Sequence, residues 1–275
     1  MKDVIFIRHN MKGSTPRIIE QLWGRRLIAL HYKDDRSIQP ADYRGCGGEQ
    51  PLQSLLDFCT KGALVGADYR IKGGVKSMLV GELEGGTQVI AMEFFDENQN
   101  FIYKTAQLQN VKEISYQDYP LLSAVQPPNV AISKWNSVRD YLDAIVTGKN
   151  LPWSVASLAP SQLEVLCYEY LRASNRIVSL LLPIGRNMKD IDIVGMNSQK
   201  QQIHAQITAS HDKKVIQRKV KILEGYENVM IFAPDEMREF ITAVEYISIQ
   251  EVFQHMSTNP VYNFVLRQML HYDAG

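Results

Sequence analysis

The chain has 275 residues, 45% of them hydrophobic and 22% charged, which is enough apolar surface for a packed core and too much for wholesale disorder. Lys+Arg and Asp+Glu number 30 each, so a strongly basic nucleic-acid coat is excluded while a local basic patch is not. No apolar run reaches the roughly 18 residues of a membrane span. The opening MKDVIFIRHN lacks a small-residue cleavage site, and Cys46, Cys59 and Cys167 form no CxxC pair. A reduced, cytoplasmic chain without a membrane partner is expected.

Up to about residue 150 short apolar strands alternate with glycine-rich breaks. The strands are DVIFI (3–7), RLIALHY (26–32), ALVGADYRI (63–71), SMLVGEL (77–83), TQVIAMEFF (87–95) and FIYKTAQL (101–108). GCGG at 45–48, GG at 73–74, GG at 85–86 and DENQN at 96–100 separate them. Even spacing of short strands predicts a mainly β, barrel-like amino-terminal domain over 1–150, with a hairpin formed by 87–95 and 101–108. Two helices, 51–59 and 137–146, interrupt it and give the half an α+β character. TGKNLPWSVASLAP (147–160) reads as a linker.

The second half, 151–275, predicts an α/β domain. SQLEVLCYEYLRA (161–173) is helical with Leu163, Leu166, Cys167, Tyr170 and Leu171 on one face, and Pro160 suits its first turn. DIDIVG (190–195) and QIHAQIT (202–208) are strands joined by a polar turn. KKVIQRKVKILEGY (213–226) is a charged helix, NVMIFAP (228–234) a buried strand, and MREFITAVEY and IQEVFQHM are helical.

The period-two rule concentrates chemistry on the paired strands. Asp190 and Asp192 should point one way and Ile191 and Ile193 the other, while His204, Gln206 and Thr208 should oppose Ile203, Ala205 and Ile207. Pairing then sets the Asp192 carboxylate beside the Gln206 amide on a polar face, with Glu164 able to approach from the preceding helix. Oxygen donors of this kind suit a hard cation such as Mg²⁺, which polarises a phosphodiester and helps to activate water.

The run LAPSQLEVLCYEYLR…KDIDIVG…IHAQIT…NVMIFAP resembles the catalytic core of the Mrr-like restriction endonucleases, in the PD-(D/E)XK nuclease superfamily. The resemblance covers about 157–256. It implies a mixed sheet flanked by helices, Mg²⁺-dependent hydrolysis of DNA, and Glu164, Asp192 and Gln206 on the helix-Glu, metal-binding Asp and (E/Q) positions. Asp192 and Gln206 would be the metal ligands. Because duplex cleavage takes two sites, it also implies a homodimer. Gln is usual at that position in the Mrr-like branch, but Thr208 stands where the family has the Lys of (E/Q)-x-K. A hydroxyl brings no positive charge to the phosphate. A migrated lysine could compensate, and Lys189, Lys213 and Lys214 are nearest in sequence. A catalytically inactive nucleic-acid-binding or interaction module is the competing expectation.

The helix at 213–226 bears Lys213, Lys214, Arg218, Lys219 and Lys221, which read as a phosphate-backbone track or as an ordinary solvated face. His204 and Asp190 read more simply as strand neighbours than as ligands, and Cys167 as core. In the first half, FCTKGALVGADYRIKGGVKSMLVGELEGGTQ resembles PUA-like domains of the EVE type, although Ala63 stands where Asp is common. That resemblance implies binding of DNA through a modified base stacked on aromatic rings, with Trp23, Tyr32, Tyr69 and Trp135 as candidate platforms or as core. WGRR places Arg25 and Arg26 beside Trp23 as a candidate phosphate-contacting edge.

Overall fold

The computed structural model describes residues 2–9, 15–70, 77–96, 99–128, 131–185, 188 and 190–272. The GG at 73–74 and Lys189 lie outside the described residues. The chain divides into two compact units, Met1–Lys149 and Asn150–Gly275.

The first unit runs β1 (Asp3–Arg8), α1 (Pro16–Gly24), β2 (Leu27–Leu30), α2 (Glu49–Lys61), β3 (Ala63–Asp68), β4 (Ser77–Leu83), β5 (Ile90–Asp96), β6 (Gln99–Gln107), β7 (Gln109–Ser115), α3 (Pro120–Ala124), β8 (Ile132–Lys134) and α4 (Arg139–Thr147). Its strands form a five-stranded mixed sheet of order β7-β4-β3-β1-β8 and a three-stranded antiparallel sheet of order β2-β6-β5. Among the described residues of this unit β1 and β3 are the one parallel pair, central buried strands (VIFI, LVGA) that read as continuous apolar runs rather than alternating ones. Ile5, Ile7, Val65 and Ala67 share one core with Leu22 of α1, Leu55 of α2, and Phe94 and Tyr103 of the smaller sheet.

No closed barrel forms among the described residues, which corrects the barrel-like expectation. Strand spacing along a chain does not say which edges meet. The chain leaves β6 at Gln107 and re-enters as β7 at Gln109, and its two strands belong to different sheets. Leu108, anchored by its N–H to Arg26 O at 3.0 Å, is the switch residue. The β5–β6 hairpin is present, but its pairing continues to Asp96↔Gln99, into the segment expected as a five-residue loop.

The second unit runs α5 (Pro160–Ala173), β9 (Ser179–Leu180), β10 (Ile193–Met196), β11 (Gln202–Ile207), α6 (Lys213–Leu223), β12 (Val229–Ala233), β13 (Glu245–Ser248), α7 (Ile249–Thr258) and α8 (Pro260–Met269). One mixed sheet has the order β13-β12-β11-β10-β9, with the β11–β12 and β12–β13 pairs parallel. Ile216, Val220 and Leu223 of α6 pack on Val194 and Ile231 on one face. On the other face Tyr170 of α5 meets Phe232 edge-on, with ring centroids 6.4 Å apart. Helices therefore flank the sheet on both sides.

Two expectations change here. MREFITAVEY is not one helix: its first residues belong to the short 3₁₀ helix Asp235–Phe240 and its end to the strand Glu245–Ser248. The β-branched and aromatic residues at its end gain more from the open edge beside Val229–Ala233 than from a helix. The segment expected as a linker is also part of the second core. Leu151 and Leu158 are buried, and Trp153 packs edge-on against Phe253 and Tyr272.

Candidate active site

The site lies at one end of the second sheet. Antiparallel pairing matches Ile193 with Ala205 and Val194 with His204, and one further step of that register sets Asp192 against Gln206. Gln206 in turn pairs with Ile231 on β12, and Ile231 belongs to the core beneath α6. Neighbours across a sheet share a face, so Asp192 and Gln206 point to the α6 side. The two side chains touch. Asp192 Oδ2 accepts from Gln206 Nε2 and from the Ile207 N–H at 2.7 Å. Gln206 Nε2 also donates to Ile207 O at 2.8 Å.

With its nitrogen occupied by two acceptors, Gln206 turns its oxygen elsewhere. Gln206 is 2% exposed and its Oε1 has no hydrogen-bond partner. A buried orphan acceptor costs about 1–3 kcal/mol, so this atom calls for a water, a cation or another donor. Burial holds the Asp192 carboxyl above its ordinary range; the Ile207 N–H, Lys219 and Gln206 pull it down, and Asp190 pushes it up.

Glu164 comes from α5 by way of a backbone bridge. The Gly185 N–H donates to Asp192 O at 2.8 Å, and a Cβ at Gly185 would lie 2.6 Å from Glu164 Oε2. Gly185 has φ +77°, a left-handed conformation that costs glycine nothing, and its bare Cα leaves the carboxylate its space. Asp190 does not continue the strand alternation. It sits in a turn at φ +62°, tolerable for Asp, so the expected pairing of Asp190 and Asp192 on one strand face is corrected. Asp190 nevertheless acts electrostatically on both Asp192 and Lys219.

Thr208 is buried, and its hydroxyl accepts from the Ser210 N–H at 3.2 Å. On α6, Lys213, Lys214, Arg218 and Lys221 are exposed, and Lys213 lies over the Phe240 ring at 4.2 Å. Lys219 is different: it is half-buried, and burial lowers its affinity for a proton while Asp192, Asp190 and Glu164 raise it. Lys219 was expected with its neighbours as part of a phosphate-backbone track or a solvated face, and its half-buried position sets it apart from them. The signal was available, because Ile216, Lys219, Val220 and Leu223 follow the three-to-four spacing of a buried stripe.

His204 Nδ1 pairs with Glu227 O at 3.2 Å and its ring lies against Tyr226, so it serves the strand rather than the site. Cys167 is fully buried. In the first unit Tyr69 and Trp135 are core residues with their polar atoms bonded to Leu27 O and Val125 O, both at 2.8 Å, so neither is a free stacking platform. Trp23 and Tyr32 are partly buried against the same core, Trp23 edge-on to Tyr69 at 5.2 Å. Arg25 and Arg26 are exposed, and Arg25 lies over Phe94 at 5.5 Å.

Among the described residues no group of three or more His, Cys, Asp or Glu side chains is gathered to hold a metal. Asp192 and Gln206 instead offer two candidate oxygen ligands, the Gln206 oxygen turning toward Asp192 on rotation of the amide that now donates through Nε2. Mg²⁺ commonly takes one or two protein oxygens and completes its octahedron with water and phosphate, so the pair fits that ion, and the orphaned Gln206 Oε1 is the atom that most needs it. No helix among the described residues is long and apolar enough to cross a membrane. Comparison of the chain with protein-family models, curated proteins and solved structures finds no match.

Proposed function

We propose that the second unit is a divalent-metal-dependent phosphodiesterase of restriction-endonuclease type, acting on DNA that the first unit selects. The observation that carries the reading is the opposed, hydrogen-bonded Asp192–Gln206 pair with a buried amide oxygen left unsatisfied. Asp192 and Gln206 would hold the Mg²⁺, which when bound polarises the phosphate and makes water a better nucleophile. The chain's own groups set the stage. The Ile207 N–H fixes the Asp192 carboxylate in one orientation. Gly185 keeps the Asp192 backbone and the Glu164 carboxylate at one corner. Lys214 and Arg218, exposed on α6, would offer the phosphate backbone cationic contacts.

A second reading is a disabled nuclease fold that binds nucleic acid without cutting it. Thr208 favours it, because a buried hydroxyl stands where the resemblance leads one to expect a cation. Plasmid nicking in Mg²⁺ or Mn²⁺ separates the two. The cleavage reading expects nicks from the wild-type protein and background from Asp192→Ala. Equal background from both supports the binding module.

A further inference from the structure

We propose that Lys219 is the cation that faces the scissile phosphate, standing in from the helix for the lysine absent at Thr208, an assignment that rests on the cleavage reading above. Lys219 lies three residues after Ile216 and four before Leu223, on the stripe that turns toward the sheet. That stripe covers Val194 and Ile231, the register neighbours of His204 and Gln206. Lys219 therefore projects over the face that bears Asp192 and Gln206. The other four cations of the helix are exposed, so Lys219 alone gives up hydration. Lysine is seldom deeply buried alone, and the nearby acidic groups that favour the charged form of Lys219 are Asp192, Asp190 and Glu164.

Charge arithmetic separates a catalytic cation from a mere counter-ion. Asp192, Asp190 and Glu164 favour a positive charge on Lys219 and Arg218 opposes it, so acidic charge outnumbers basic around this helix position. In the hydrolysis a water oxygen bonds to phosphorus, one P–O ester bond breaks, a proton of the water leaves to solvent, and the departing oxygen takes one up. Lys219 keeps its protons throughout. Its ammonium group neutralises charge that grows on the non-bridging oxygens, a role that Thr208 cannot perform.

The test uses the full-length protein and four variants: Lys219→Met, Lys219→Arg, Thr208→Lys, and the double variant Thr208→Lys/Lys219→Met. Plasmid nicking is timed under single-turnover conditions, Mn²⁺ binding is followed by electron paramagnetic resonance, and thermal melting checks the fold. Lys219→Met should slow nicking by about 10²–10³-fold while binding Mn²⁺ at least as tightly as wild type, since a repelling charge is gone. Lys219→Arg should keep more activity than Lys219→Met, and the double variant should regain activity over Lys219→Met. If Lys219→Met nicks at the wild-type rate, or loses Mn²⁺ and activity together, the Lys219 assignment falls and the metal reading stands. A wild-type protein that binds Mn²⁺ but never nicks overturns the cleavage reading and the Lys219 assignment with it, and leaves the metal site standing. Should Lys219→Met not fold, Lys219→Gln, checked by melting, takes its place: a wild-type nicking rate overturns the assignment, and a loss of about 10²–10³-fold with Mn²⁺ retained supports it.

Discussion

Replacing Asp192 by Asn should make the apo protein more stable at neutral pH. Burial is the largest influence on this carboxyl and raises it above its ordinary value of 3.8, even against the opposing pull of the Ile207 N–H and Lys219. A carboxyl raised on folding contributes stability that is fully present below 3.8 and is lost as pH climbs through the folded value. At pH 7 the ionised group therefore works against the fold. Asn keeps an oxygen that can accept from the Ile207 N–H, now at 2.7 Å, and from Gln206 Nε2. Those bonds lose their charge assistance and Lys219 loses a partner, but the desolvated charge is gone. The balance is a higher melting temperature for the Asn variant at pH 7. Thermal melts of both proteins without metal between pH 3.5 and 8 measure it. The gap should open from near zero at the acid end and widen toward pH 7. A variant that melts below wild type at pH 7, or a gap that does not change with pH, refutes the reasoning.

Further outcomes follow from individual residues. Gly185→Ala should cost about 1–2 kcal/mol for a left-handed alanine, and its Cβ should also displace Glu164; in a Glu164→Ala background the second part disappears, which a double-mutant melt reads directly. His9 is buried, its Nε2 accepting from the Ala29 N–H at 3.0 Å, and burial drives it from 6.5 down to about 3. The first unit should therefore hold its full share of stability above pH 6.5 and lose about 3 kcal/mol by pH 4, a loss that His9→Phe should not show. Lys214→Ala and Arg218→Ala should each reduce the slope of log affinity for duplex DNA against log salt by about 0.9, measured by fluorescence anisotropy.

How much of this was legible in the sequence depends on the range of the interaction. The alternation in QIHAQI was enough to set Gln206 opposite the Ile203–Ala205–Ile207 face, and Asp192 follows from the register of a short antiparallel pair. The same rule failed at Asp190, because a residue at φ +62° belongs to a turn and carries no strand parity. Lys219 was hidden by composition: among five cations on one helix, its place on the Ile216–Leu223 stripe is a subtler signal than the charge run. The helix Pro16–Gly24 was legible in principle, since Thr15 caps it and Pro16 opens it. The approach of Glu164 to Asp192 through Gly185 was not, because it depends on a loop conformation that no local pattern encodes. The barrel expectation failed for a related reason, as strand spacing does not reveal that Leu108 carries the chain from one sheet to another.

The most direct test is a count of divalent ions. Electron paramagnetic resonance titration of the wild-type protein with Mn²⁺ should find one bound ion per chain, competed by Mg²⁺. Asp192→Asn, folded and more stable, should lose that ion, and Gln206→Leu should weaken it. Full binding by Asp192→Asn, or no bound Mn²⁺ in the wild type, would contradict a cation held between the acid and the amide.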